Sequence, residues 1–124
     1  QVGIRSLSRE EAGKEYKNLK TFFMKDMIGN EDWIEAAIDS LDNDRVYVTI
    51  DMDALDPSIM PSVGTPEPGG MGWYETLALL KMLSHKKEII GFDVVELSPV
   101  TGNISPDFLA AKLIYKFLNY IFLK

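Results

Sequence analysis

Cysteine is absent from the 124 residues, and histidine occurs only once. The first absence excludes disulfide staples and thiolate metal sites, and an intracellular, cytoplasmic address fits it. The lone histidine, His85, stands beside Lys86 and Lys87 on the N-terminal side of a strand-like run. We read it as an exposed helix-terminal residue, so the chain offers no imidazole for acid–base work. No apolar run approaches the roughly 18 residues of a membrane span. The longest, Phe108–Leu123, is interrupted by lysines and an asparagine, and no basic, apolar leader opens the chain; no membrane association is expected. Clustered cations are also missing: 13 Lys and Arg stand against 19 Asp and Glu, a formal charge of −6. That balance argues against a nucleic-acid partner and is compatible with a cationic substrate or a metal.

What remains is an ordinary globular composition, 46% hydrophobic and 26% charged, in a length that suits one domain. An apolar Val2-Gly3-Ile4 follows Gln1 at once, so a strand at the first residue is expected and, with it, a chain cut from something longer. Ser8 with Glu11 forms a capping box that starts a helix near Arg9, and residues 10–20 are helix formers. Residues 21–28 are ambiguous between a helix end and a short strand, and Gly29-Asn30 breaks the chain. Trp33, Ile34, Ala37, Ile38 and Leu41 recur at helical spacing. Val46–Ile50 is the most strand-like run, and a proline- and glycine-rich loop follows from Asp51 to about Gly72. A helix over Trp73–Leu83, with Tyr74, Leu77, Leu80 and Met82 among its apolar positions, leads to a strand over Glu88–Val95. Ser105 as cap and Pro106 open a last helix from Asp107 to about Phe122.

The resulting order, β-α-α-β-α-β-α with nearly continuous apolar strands, indicates an α/β fold: a mainly parallel sheet between helical layers. Ligands of such sheets bind beyond the carboxyl ends of the strands. Asp51-Met52-Asp53-Ala54-Leu55-Asp56-Pro57 follows one strand there, and Glu96-Leu97-Ser98-Pro99 follows the other. If the strands are neighbours, their carboxylates face each other roughly 5–10 Å apart. Asp51 and Asp53, two residues apart on an extended segment, put their carboxylates on one side. Such like charges need a cation to neutralise them, and carboxylate ligation suits Mn²⁺ or Mg²⁺; the alternative is a solvated acidic turn. Asp56, restricted by Pro57, reads as structural, fixing the loop through local hydrogen bonds. Thr65 is positioned to present a hydroxyl, Glu67 reads as solvated, and Gly69-Gly70 permits close backbone approach. Trp33 and Trp73 read as packing residues.

Three segments carry a family resemblance. Val48–Pro57 resembles the S-F-D-x-D-x-x-D-P signature of ureohydrolases, the family of arginase and agmatinase. Gly64-Thr65-Pro66-Glu67-Pro68-Gly69-Gly70 resembles its G-T-P-x-x-G-G loop, and Gly91–Pro99 its D-x-V-E-x-[NS]-P strand. The similarity extends weakly to Val2–Ser6. It implies the arginase-like three-layer αβα fold and hydrolysis of a guanidino group to urea by a hydroxide bridging two Mn²⁺ ions, with other divalent metals possible. Asp51 and Asp53 match the metal-binding aspartates, Glu96 the glutamate that pairs with the guanidinium, and Thr65 the threonine lining the pocket. Arginases carry an aspartate where Ser6 stands, in contact with the substrate's α-amino group. Ser6 therefore disfavours arginine, and agmatine, yielding putrescine and urea, is the expected small cationic substrate. Arginine and guanidinobutyrate are the alternatives.

The family's G-G-D-H and D-A-H-x-D segments and a further catalytic histidine do not occur here. The resemblance therefore implies that the chain is the C-terminal part of a single ureohydrolase domain, inactive alone, and that the whole assembles as a homo-oligomer, a trimer or hexamer. Two readings from other classes stand beside this one. Haloacid-dehalogenase-like phosphatases also place Asp-x-Asp after a strand, but Ala54-Leu55-Asp56-Pro57 does not continue their pattern. A non-enzymatic segment completing another chain's sheet or an oligomer interface is the other.

Overall fold

The computed structural model of the chain describes residues 1–14 and 16–123. Among the described residues, four strands and five helices follow in the order β1 (Val2–Ile4), α1 (Arg9–Ala12), β2 (Phe22–Phe23), α2 (Met24–Met27), α3 (Trp33–Asp39), β3 (Arg45–Asp51), α4 (Trp73–Lys86), β4 (Glu88–Val95) and α5 (Ser105–Phe122). A single 3₁₀ turn, Met52–Ala54, follows β3 directly. The strands form two parallel pairs, β1 with β2 and β3 with β4. Parallel pairs joined through helices make this an α/β fold.

Two differences from the sequence reading, and one ambiguity it left open, have local physical causes. The capping box at Ser8 and Glu11 is present, but α1 stops after Ala12 instead of running to residue 20. None of its residues is buried, so there is no apolar face to hold a longer helix, and propensity alone does not suffice. Glu15, within that stretch, lies outside the described residues. The ambiguous segment contains both expected structures in turn: Phe22–Phe23 pairs with β1, and Met24–Met27 turns helical and buries both methionines. The last helix begins at Ser105, the expected cap, two residues before its expected start at Asp107, with Ile104 as N-cap and no capping side chain. Pro106 lies in the first turn, where a missing N–H costs nothing.

Period-two alternation governs β3. Arg45, Tyr47, Thr49 and Asp51 are exposed, while Val46 and Val48 are half-buried and Ile50 is buried. One face is therefore covered, where nearly continuous apolar runs had suggested two. The register runs Val46↔Ile89 and then Tyr47↔Gly91, so Ile90 bulges. Gly91 fits there because a Cβ would stand 2.9 Å from the Tyr47 ring. In α4, Leu80 and Leu83 are buried, but Tyr74 and Met82 face outward.

The core gathers Trp33, Ile50, Leu80, Leu113 and Phe117 with three side chains of the long loop, Met52, Leu55 and Met60. Those three are at most 2% exposed, and burying each contributes about 1.5–3 kcal/mol. Phe117 meets Phe92 edge to face at 4.9 Å, which ties α5 to β4. The loop after β3 is thus anchored from beneath. A groove of about 400 Å³ runs between the two strand pairs, lined by Val2 and Phe22 on one side and Val46–Asp51 on the other. Among the described residues, no helix is long and apolar enough to cross a membrane.

Candidate functional site

The rim beyond the carboxyl ends of β3 and β4 collects the acidic residues that follow them. Asp51 pairs in register with Val95, so Glu96 sits one residue past the same edge. Asp53 is not on an extended segment. The Asp51 carboxylate accepts a hydrogen bond from the Asp53 amide at 2.8 Å and so caps the 3₁₀ turn. A short acidic side chain that captures an amide two residues on bends the backbone locally. The bend, and not strand alternation, sets where Asp53 lies relative to Asp51.

Asp53 is held from two directions. The Thr65 hydroxyl donates a hydrogen bond to Asp53 Oδ2. The Arg5 guanidinium, at the end of β1, donates to the backbone carbonyls of Asp53 at 2.6 Å and Ala54 at 3.1 Å. Asp53 Oδ1 is buried with no hydrogen-bond partner among the described residues. A buried carboxylate oxygen without a donor is costly, and Asp93 Oδ1 and Asp107 Oδ1 are left in the same state. Glu96 adopts a left-handed backbone conformation, φ 66°. For a residue with a Cβ, that costs on the order of 1–2 kcal/mol and turns the chain sharply out of β4.

The long loop folds back over this rim. Val63 bridges Leu97, and the Ser98 amide donates to the Ser62 carbonyl at 2.8 Å. Gly64 is thereby laid against Glu96; a Cβ on it would stand 3.7 Å from Glu96 Oε2. Asp56, followed by Pro57, staples the loop's far end: its carboxylate accepts from the amides of Ser58 at 2.9 Å, Gly69 at 2.9 Å and Gly70 at 3.2 Å. These donors pull its pKa from 3.8 to about 2, with the Ser58 contact the largest cause. Gly69 takes φ 81°. Gly70 is required sterically, since a Cβ would lie 2.5 Å from the Leu55 backbone carbon.

Thr65, Asp51, Asp53 and Glu96 therefore share one rim. Ser6 joins them through a contact that sequence reasoning missed: its hydroxyl donates to Glu67 Oε2 at 2.6 Å, and Glu67 is half-buried rather than solvated. The Arg5 clamp was also missed, and a lone cation after a strand carries no signal of the carbonyls it will reach. His85 is exposed in the last turn of α4, on the N-terminal side of β4. Trp33 is buried and Trp73 half-buried. Among the described residues, no three His, Cys, Asp or Glu side chains converge as a complete metal cage. Asp51 and Asp53 supply hard carboxylate oxygens, the donor type that Mn²⁺ or Mg²⁺ takes.

The chain is thus a parallel α/β protein with two aspartates and a strained glutamate at the carboxyl rim of its strands, and known proteins show which family has this arrangement. The Arginase family model matches residues 1–119, and the chain belongs to the arginase family. It is 46% identical over 120 residues to the N(1)-aminopropylagmatine ureohydrolase of Synechocystis sp., covering 96% of this chain and 39% of the relative. The crystal structure of agmatine ureohydrolase of Thermoplasma volcanium superposes with a TM-score of 0.79 at 39% identity, covering 97% of this chain and 41% of the other. Arginase from Bacillus subtilis superposes with a TM-score of 0.82 at 30% identity, covering 94% and 43%. The chain thus spans about two fifths of the relatives' length.

Proposed function

We propose that this chain supplies one part of a metal-dependent ureohydrolase that cleaves the guanidino group of agmatine, or of an N-substituted agmatine, to release urea. The reading rests above all on one observation: Asp53 Oδ1 is buried and unpartnered at a rim that also carries Asp51 and Glu96. Asp51 and Asp53 would hold two Mn²⁺ ions jointly with donors from residues outside these 124. The groove between the strand pairs is lined by Asp51 and Ala54 among others, so polypeptide seated in it would reach Asp51. When bound, the metals supply a water acidic enough to attack near neutral pH.

The chain's own residues do the rest. Glu96 pairs with the guanidinium through parallel hydrogen bonds and fixes its carbon for attack. Thr65 holds Asp53 and lines the pocket beside Glu96. Hydrolysis adds the water oxygen to the guanidino carbon, breaks its bond to the alkyl nitrogen, and releases the amine with the transferred proton. For agmatine the amine is putrescine. The Synechocystis and Thermoplasma relatives, named for aminopropylagmatine and agmatine, support this substrate class over arginine, as does Ser6. Assembly as a cytoplasmic homo-oligomer belongs to the same proposal.

The test is a chimera in which this chain replaces the matching 39% of the Synechocystis relative. With Mn²⁺ it is expected to release urea from agmatine or aminopropylagmatine, and the chain alone to release none. Asp53→Asn should reduce turnover at least a hundredfold. Phosphate release from p-nitrophenyl phosphate by a folded chimera, without urea from any guanidine, would overturn the reading.

A further inference from the structure

We propose that Glu67 is a specificity-determining residue that reads the end of the substrate remote from the guanidino group, selecting a tail that carries an ammonium. The inference rests on the ureohydrolase reading above and deepens it. Its starting point is the path of the loop. Gly64 lies against the Glu96 carboxylate, Thr65 bonds Asp53, and Glu67 ends the same short run on Ser6. Three residues span at most about 10 Å, so Glu67 stands within the reach of an alkyl tail whose guanidinium is paired with Glu96.

The charge around Glu67 is unbalanced. Ser6 is the only side chain that bonds it among the described residues, and no lysine or arginine there pairs with it. The adjacent Arg5 is committed to the carbonyls of Asp53, Ala54 and, at 3.5 Å, Gly3. A serine hydroxyl donates one proton, whereas a carboxylate has room for several donors. The 2.6 Å contact fixes the carboxylate's direction without neutralising it. A half-buried carboxylate oriented in this way attracts an ammonium by a charge-assisted hydrogen bond. It repels a tail that ends in a carboxylate, so attraction and repulsion together set the preference. The class of substrate is therefore an alkylguanidine with a free or substituted amine at its far end, and the class excluded is a guanidino acid.

The experiment uses the chimera with Mn²⁺ and compares agmatine with butylguanidine, which lacks the terminal amine. Glu67→Gln retains an acceptor for Ser6 but removes the charge. The ratio of kcat/KM for agmatine to that for butylguanidine is expected to fall at least tenfold, the scale of one charge-assisted hydrogen bond. Ser6→Ala, which frees the carboxylate to swing, should lower the same ratio about threefold. Competitive binding of 1,4-diaminobutane, measured by calorimetry, should weaken in Glu67→Gln by a similar factor to agmatine. A ratio unchanged in Glu67→Gln, with both substrates losing alike, would mean that the Ser6–Glu67 contact only ties two loops together, and would overturn the proposal. So would unchanged diamine binding. A folded chimera that releases urea from neither guanidine defeats the proposed activity instead, and the diamine measurement still decides the role of Glu67.

Discussion

Two adjacent glycines close the loop over the rim for different reasons, and the difference sets the cost of adding one methyl group. At Gly69 a Cβ meets nothing within 4 Å, and the obstacle is φ 81°. Gly69→Ala should cost about 1–2 kcal/mol, the penalty for a left-handed L-residue. At Gly70 the new Cβ would stand 2.5 Å from Leu55 C and 2.6 Å from Asp56 N and Leu55 O. Reaching an ordinary 3.4 Å contact requires a shift of about 0.9 Å between two backbone segments. Those segments are pinned by the hydrogen bonds Asp56 N–Met71 O, 3.0 Å, and Met71 N–Ala54 O, 2.9 Å. Stretching both past bonding distance forfeits about 1 kcal/mol each, and overpacking adds about 1–3 kcal/mol. Gly70→Ala should therefore cost about 3–5 kcal/mol, which for a chain of this size lowers Tm by about 10 °C or more. Thermal or denaturant unfolding of the two variants side by side is the assay. Equal losses, or a larger loss at Gly69, would refute the steric argument.

Asp56 gives a pH dependence with a defined sign. Its carboxyl is held below the ordinary 3.8, at about 2, so the charged form is favoured by folding. Its contribution is complete above pH 4 and lost as pH falls through 2. Asp56→Asn should be less stable at neutral pH and should lack this component of acid destabilisation between pH 4 and 2, as followed by circular dichroism. Arg5→Ala removes charged donors from two loop carbonyls and should destabilise by about 2–4 kcal/mol. Arg5→Lys should recover only part, since one ammonium cannot reproduce the fork; denaturant midpoints check both.

The order of the larger elements was legible because their signals are local. The apolar run Val46–Ile50 and the helical spacing through Trp33–Leu41 each bury a face that their own periodicity defines. The short elements were not. Phe22–Phe23 is a strand only because β1 lies beside it, with the Phe22 amide on the Gln1 carbonyl at 2.8 Å. Residues 13–14 and 16–20 fail to extend α1 because nothing covers them. At the rim, Asp56 could be read as a loop staple because Pro57 and the glycines constrain it from nearby. The neighbourhood of Asp53 depends on Arg5, 48 residues away, and that of Glu67 on Ser6, 61 residues away. Contacts at that separation leave no mark in spacing or composition. The bend at Asp51 was misjudged for a subtler reason. The same acidic side chain that marks a metal rim also captures the amide two residues on, and the capture ends the strand.

Counting manganese most directly tests the proposal that Asp51 and Asp53 are part of a donor set completed by residues outside these 124. Elemental analysis after equilibrium dialysis should find two Mn²⁺ per chain in the chimera, well below one on the 124-residue chain alone, and a marked loss in the Asp53→Asn chimera. Two tightly held ions on the chain alone, or full occupancy in the Asp53→Asn chimera, would contradict it.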